Sequence, residues 1–331
     1  MGSETEGDTS GTDTRHRVVV GVDGSRDAMA AVDWAATQAQ LTGAVLEIVT
    51  TFGQGYGFLN PSEVERGMQN DIDQATARVE RVAPSIDIIT KTFAGSPGGF
   101  LIEESAPADL LVVGSRGRGG FRSLLLGSVS RRCVHRARCP VVVVGHHGSD
   151  DADDRGGQSE DRRAVNPGTD SDALETDTDT KEKVMTTTRT ESAHRIVVGI
   201  DGSPSSLAAL EWAADQAVLT GAALEVLMTW EWPIGIGFSP VPSGFDPAHD
   251  CETTLHKALA PVREAHPGVS VQGTVIEGHP APLLVKASHG ADLLVVGSRG
   301  HGEFTGMLLG SVSEHCVTNG HCPVLVVRDR S

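Results

Sequence analysis

The chain has 331 residues, 39% of them hydrophobic and 21% charged, with a net charge of −17. That supplies apolar material for two cores, but no apolar run reaches the roughly 18 residues of a membrane span. The polar, acidic start MGSETEGDTSGTDT lacks the basic and apolar regions of a secretion signal, so the expected compartment is the cytoplasm. The acidity also argues against an overall nucleic-acid surface, which requires a basic face.

The charge is unevenly spread. Residues 149–183 carry −7 (twelve acids, five bases) and residues 194–331 carry −7 (fourteen acids, seven bases), while residues 15–148 are near neutral. The organisation expected is a disordered acidic tail over 1–14, a first domain over 15–146, a flexible acidic linker over 147–193 and a second domain over 194–331. The linker is rich in Gly, Ser, Thr and Asp and has few apolar residues to offset the entropy of ordering. The His146–His147 pair at its start reads as solvated surface.

In chain order, Arg17–Asp23 reads as a buried strand ending in Asp, and Ser25 as the cap of a helix over Arg26–Leu41. A strand over Ala44–Thr51 follows, then a loop over Phe52–Pro61, a helix over Ser62–Val82 and a strand over Ser85–Lys91. A short helix near Pro97–Ser105 precedes the strand Asp109–Val113. The half closes with a Gly-rich loop, a helix over Ser128–Arg136 and the strand Val141–Val144. Five strands alternating with helices imply a parallel sheet covered on both faces. In such sheets a ligand sits beyond the carboxyl ends of the strands, where strand order reverses. Asp23 and Gly114 end two candidate strands for that crevice.

The second half repeats the first. RIVVGIDGS at 195–203 matches RVVVGVDGS at 17–25, and HCPVLVV at 321–327 matches RCPVVVV at 138–144. The offset grows by five residues, which places an insertion near Trp230–Pro247. Duplication is the simplest account. The equivalent cysteines Cys133/Cys139 and Cys316/Cys322, and Cys251, match no usual zinc spacing and read as small buried thiols.

The most informative stretch is GSRGRGGFRSLLLGS at 114–128, which returns as GSRGHGEFTGMLLGS at 297–311. Each follows the apolar run ADLLVV. Glycines there let backbone approach a ligand, and the helix that starts at Gly127 or Gly310 offers free N–H groups and the positive end of its dipole to a phosphate. The same glycines also suit a plain strand-to-helix connection, Asp23 also suits the helix N–H groups beside Ser25, and Ser128 and Ser311 also suit plain helix caps. The loops differ in charge: Arg116, Arg118 and Arg122 flank the first, with Arg131 and Arg132 beyond it. The second has Arg299, His301, Glu303 (where the first has Gly120) and Thr305. On charge alone, the first loop is expected to bind a polyphosphate more tightly and with steeper salt dependence.

A strand followed by Val-Asp-Gly-Ser or Ile-Asp-Gly-Ser, a strand followed by Gly-x2-Gly-x9-Gly-Ser, and Cys-Pro-Val at the last strand together resemble the universal stress protein family. The resemblance covers both halves, and the Gly pattern is similar to that of its ATP-binding subset. It implies two tandem Rossmann-like (HUP) α/β domains, each a five-stranded parallel sheet of order 3-2-1-4-5 with helices on both faces. It further implies a nucleotide set in each half. In the first, Asp23 lies at the ribose and metal side and Thr50 against the adenine. Gly114, Gly117, Gly127 and Ser128 wrap ribose and phosphates, with Val129 and Ser130 beside them and Gly21, Val113 and Arg116 completing the set. In the second the matching residues are Asp201 and Met228, then Gly297, Gly300, Gly310, Ser311, Val312 and Ser313, with Gly199, Val296 and Arg299. The cofactors implied are ATP and Mg2+, the ion held through the phosphates near Asp23 and Asp201.

Neither loop contains the Gly-Lys-Ser/Thr of a Walker motif, so a nucleotide-dependent binding module in stress response is expected rather than a fast ATPase. Self-association through the last strands, Val141–Val144 against Val324–Val327, is expected, as an intrachain pseudo-dimer, a homodimer or both. Three alternatives stay open: a slow ATPase or autokinase, a relative of the adenine-nucleotide α-hydrolases, and a non-catalytic scaffold that dimerises through those strands.

Overall fold

A computed structural model describes residues 16–52, 60–118, 125–145, 194–232, 246–301 and 308–328. The acidic tail, the linker, His146 and His147, Gly120, Arg122, Glu303 and Thr305 lie outside the described residues, as does most of the stretch expected to hold the insertion.

The first half runs β1 (Arg17–Val22), α1 (Arg26–Thr42), β2 (Val45–Phe52), α2 (Pro61–Val82), β3 (Ile88–Ala94), α3 (Pro97–Glu104), β4 (Leu110–Gly114), α4 (Ser128–Arg136) and β5 (Val141–Val144). The second runs β6 (Arg195–Ile200), α5 (Pro204–Thr220), β7 (Ala223–Trp230), α6 (Pro247–Ala265), β8 (Val271–Glu277), α7 (Pro280–Ala287), β9 (Leu293–Gly297), α8 (Ser311–Asn319) and β10 (Val324–Val327). Within each half the strands are parallel, in the order β3-β2-β1-β4-β5 and β8-β7-β6-β9-β10. The order matches the expectation and sets β1 beside β4, and β6 beside β9.

The strands at the middle of each half are apolar on both faces because both faces are covered. Val18, Val20 and Val22 pack with α1 and α2, and Val19 packs on the opposite side with Leu101 of α3 and Cys133 and Val134 of α4. The second half divides its faces in the same way, with α5 and α6 on one and α7 and α8 on the other. None of the five cysteines forms a disulfide, and four of them are buried. Burial pushes Cys133, Cys316 and Cys322 up to about 12, so these thiols stay protonated and act as core packing. Among the described residues, no helix is long and apolar enough to cross a membrane.

One expectation needs correcting. The third strand begins at Ile88 and ends at Ala94, not over Ser85–Lys91. The N–H of Ile86 turns back to Ala83 O, and β3 then follows β2 out to the Ala94–Phe52 pair. The pairing expected of the last strands occurs within the chain and joins the two five-stranded sheets. β5 and β10 pair antiparallel, Val142 opposite Leu325, and make one ten-stranded sheet. The two halves accordingly form one compact unit. Because the seam is antiparallel, the carboxyl ends of the strands point one way in the first half and the opposite way in the second.

Polar contacts cross the seam on both faces. On one, Gln38 of α1 and Gln216 of α5 exchange side-chain amide hydrogen bonds of 2.8 and 2.7 Å while both are buried. On the other, Arg131 of α4 meets Glu314 of α8 at 3.0 Å. The two members of each pair hold equivalent places in the repeat. Replacing Gln38 by Leu leaves the Gln216 amide buried without its partner, and is expected to cost about 1–3 kcal/mol in denaturant unfolding. The double variant Gln38→Leu/Gln216→Leu should recover most of that loss. A double variant no more stable than the single would contradict a role for the pair at the seam.

Candidate functional site

Two clefts occupy equivalent places, one at the carboxyl ends of β1 and β4 and one at those of β6 and β9, with volumes of about 790 and 670 Å³. Since equivalent strands pair antiparallel at the seam, the clefts open at opposite ends of the sheet.

Each cleft is built on an aspartate that ties two loops together. Asp23 follows β1, where its Oδ1 accepts the N–H of Ser25 at 3.0 Å and its Oδ2 the N–H of Arg118 at 3.0 Å. Asp201 does the same with Ser203 at 2.9 Å and His301 at 3.1 Å. Burial pushes Asp201 up, but hydrogen bonds from Ser203, Ser206 and the His301 N–H outweigh it and hold the carboxyl below the usual range. Ser25 and Ser203 cap the helices that follow, accepting from Ala28 and Ser206.

Part of the glycine pattern serves the protein itself. A Cβ on Gly117 would lie 2.4 Å from Asp23 Oδ2, and one on Gly300 2.3 Å from Asp201 Oδ2. A Cβ on Gly114 would lie 2.6 Å from the backbone N of Ala28, and one on Gly297 2.7 Å from the backbone C of Ser205. The strand end and the first turn of the helix are therefore in backbone contact, which a reading of these glycines as ligand contacts alone misses.

The helix starts differ from the capped ones. Gly127 and Gly310 are the N-caps of α4 and α8, and neither helix has a side-chain cap. Ser128 and Ser311 are the first helical residues and are exposed, so they are not caps. The third helical serine is buried and turned inward: Ser130 Oγ donates to Gly114 O at 2.5 Å, and Ser313 Oγ to Gly297 O at 2.6 Å. This locks each helix start onto the strand before the loop and leaves the first-turn N–H groups without a side-chain acceptor.

The first cleft brings together every residue expected of it: Gly21, Asp23, Thr50, Val113, Gly114, Arg116, Gly117, Gly127, Ser128, Val129 and Ser130. The second does so with one exception. Met228 is packed in the core with Ile200 and Leu255, and Leu227, Thr229 and Trp230 form the wall instead. The Met228 side chain packs in that core, although Thr50 at the equivalent position lines the first cleft.

Several lining residues have no counterpart among the expected ones. Val64, Met68 and Asp71 of α2 and Leu101 of α3 wall the first cleft, and Trp230, Pro280 and Leu284 the second. Asp27, buried in the first turn of α1, accepts from Ser115 Oγ at 2.7 Å and from the Arg116 backbone at 3.2 Å, with the Arg116 guanidinium at 3.3 Å. Ser205 holds the same place in the second half and bonds the backbone of Arg299. Arg118 pairs with Asp71 at 2.5 Å. The positive charge of the first loop is thus offset by carboxylates, and the contrast between the loops is smaller than their sequences imply. Among the described residues, no cluster of three or more His, Cys, Asp or Glu is placed to hold a metal.

Fold and site together define a duplicated, doubly wound α/β protein with a glycine loop and an uncapped helix start in each half. The model of the universal stress protein family matches residues 14–145 and 192–328. A universal stress protein of Mycolicibacterium smegmatis is 32% identical over 330 residues, covering 96% of this chain and 98% of its own. One from Mycobacterium tuberculosis is 32% identical over 333 residues, with 95% and 97% covered. Among solved structures, a universal stress protein from Archaeoglobus fulgidus shares the fold with a TM-score of 0.62 at 20% identity, over 94% of this chain and 96% of that one. The chain belongs to the universal stress protein family, as a member with two tandem copies of the domain.

Proposed function

We propose that both clefts bind an adenine nucleotide, ATP as its Mg2+ complex, and that the chain serves in the cytoplasmic stress response as a nucleotide-dependent binding module. The observation that carries this reading is the uncapped start of α4 and of α8, set beside a glycine loop at the point where strand order reverses. Unused N–H groups and a helix dipole suit phosphate. Deeper in, Val49, Leu101 and Val113, or Leu227, Leu284 and Val296, offer an apolar wall to a base. The phosphates would supply most of the ligands to Mg2+, with Asp23 or Asp201 nearby.

Binding is favoured over hydrolysis by the state of the two aspartates. Each already accepts two backbone N–H groups and is committed to tying its loops together, and the carboxyl of Asp201, held below the usual range, is a poor base for water. Melting curves test the reading. Saturating Mg-ATP should raise the melting temperature by several degrees, since a hundredfold excess over Kd stabilises each occupied site by about 2.7 kcal/mol. No rise with ATP, ADP or AMP would overturn it.

A further inference from the structure

The two clefts differ in what lies over the turn after their first strand. In the first, the guanidinium of Arg118 crosses Gly24 and meets Asp71 of α2, Nη2 to Oδ1, at 2.5 Å. The crossing is close: a Cβ on Gly24 would fall 1.9 Å from that Nη2 and 2.4 Å from that Oδ1. In the second cleft the same two places hold His301 and Thr254, and these are the side chains nearest a Cβ on Gly202. The carboxylate is thus present on one side of the duplication only.

The partners in the Arg118–Asp71 pair are unequally placed. The Asp71 side chain is 5% exposed and fixed on a helix, while the Arg118 side chain is 51% exposed and rides on the glycine loop. Both line the first cleft. If one partner moves, it is the arginine. Its backbone sits where the nucleotide reading puts the phosphates, within the reach of a long side chain, and guanidinium pairs with phosphate as readily as with carboxylate. Burial pushes Asp71 up, Arg118 pulls it down, and Asp23 raises it again. Without the arginine, Asp71 would be a buried carboxylate with no charge partner, which draws the guanidinium back.

We propose that Asp71 is an internal competitor for phosphate in the first cleft. It holds Arg118 on the turn between β1 and α1 until a polyphosphate draws the guanidinium away, and so lowers the affinity of that cleft. The second cleft, with Thr254 in the same place, has no such competitor. This inference rests on the nucleotide reading above and refines it. It also reverses an expectation from charge alone: the arginine-rich first loop gains less from Arg118 than its sequence implies.

The test is a calorimetric titration of the full-length chain with Mg-ATP, with the fluorescence of Trp230, on the wall of the second cleft, read in a chain whose Trp34, Trp212 and Trp232 are replaced by Phe so that it reports that cleft separately. Asp71→Thr, which installs the residue of the second half, should tighten one site about tenfold, the worth of one charge-assisted hydrogen bond taken out of the competition, and leave the Trp230 signal unchanged. Asp71→Asn keeps a neutral partner for Arg118 and should give a smaller gain. Arg118→Ala should weaken the same site, and Asp71→Thr/Arg118→Ala should bind as Arg118→Ala does. If the pair is only a strap that shapes the loop, Asp71→Thr binds no better than the wild-type chain or binds worse, and the inference fails while nucleotide binding stands. If the wild-type chain itself takes up no nucleotide, the reading and the inference fail together.

Discussion

Gly114→Ala should destabilise the protein by about 2–3 kcal/mol and abolish nucleotide binding in the first cleft. The added methyl would lie 2.6 Å from the backbone N of Ala28 and 2.7 Å from the backbone C of Asp27. Side chains can turn away from such an intrusion, but two pieces of backbone cannot, so β4 must move away from the first turn of α1. That shift also breaks the bond from Ser130 to Gly114 O and the contacts of Asp27 with Ser115 and Arg116, which together set the position of the helix start. Gly297→Ala should behave alike, its methyl 2.7 Å from the backbone C of Ser205 and 2.8 Å from the backbone N of Ser206. Gly67→Ala is the control. Gly67 lies inside α2 with nothing within 4 Å of the new methyl, and the change should be neutral or stabilising by up to about 1 kcal/mol. Urea unfolding measures all three, and equal midpoints for Gly114→Ala and Gly67→Ala would show that the close approach carries no energy.

The second large effect is on binding and not on folding. At Gly117 the added methyl meets one atom, Asp23 Oδ2 at 2.4 Å, and a short side chain is the part that yields. Displacing it costs the bond to the Arg118 N–H, and with it the tie between the end of β1 and the glycine loop. Stability should fall by less than about 1 kcal/mol, while affinity in the first cleft falls at least tenfold, the worth of one hydrogen bond to a charged group. Gly300→Ala should do the same to the second cleft alone, through Asp201. In calorimetry each variant should lose one of two binding events. Full binding at both sites in either variant would mean that the aspartate tie does not shape the cleft.

The features that could be read in the sequence follow from local physics. Valine runs such as Val18–Val20 and Leu110–Val113 announce strands buried on both faces, and a duplicated glycine spacing announces a loop that cannot carry side chains. Strand order, and with it the meeting of Asp23 and Gly117, came from the family resemblance rather than from the residues. What the sequence leaves hidden depends on packing between elements distant in the chain. Met228, read as a wall residue by its equivalence to Thr50, packs in the core with Ile200 and Leu255, while Leu227, Thr229 and Trp230 line the second cleft. Asp27 reads as one more acid in a helix's first turn, yet it is buried and holds Ser115 and Arg116. The comparison of Asp27 with Ser205 was the available signal: an acid on one side of a duplication and a small hydroxyl on the other, both opposite a loop backbone. Asp71 arrives from a helix that no motif marks, and only the fold shows that it meets Arg118. The edge strand β3, half exposed and only partly alternating, was displaced by three residues because its register is set by β2 and not by its own pattern.

The most direct test is to purify the full-length chain, incubate it with Mg-ATP, remove free nucleotide, then denature and filter it and count the adenine nucleotide that the chain had retained. About two nucleotides per chain, falling to about one in either Gly117→Ala or Gly300→Ala, is the result the account predicts. No retained adenine nucleotide, in a chain whose melting temperature also ignores ATP, would contradict it.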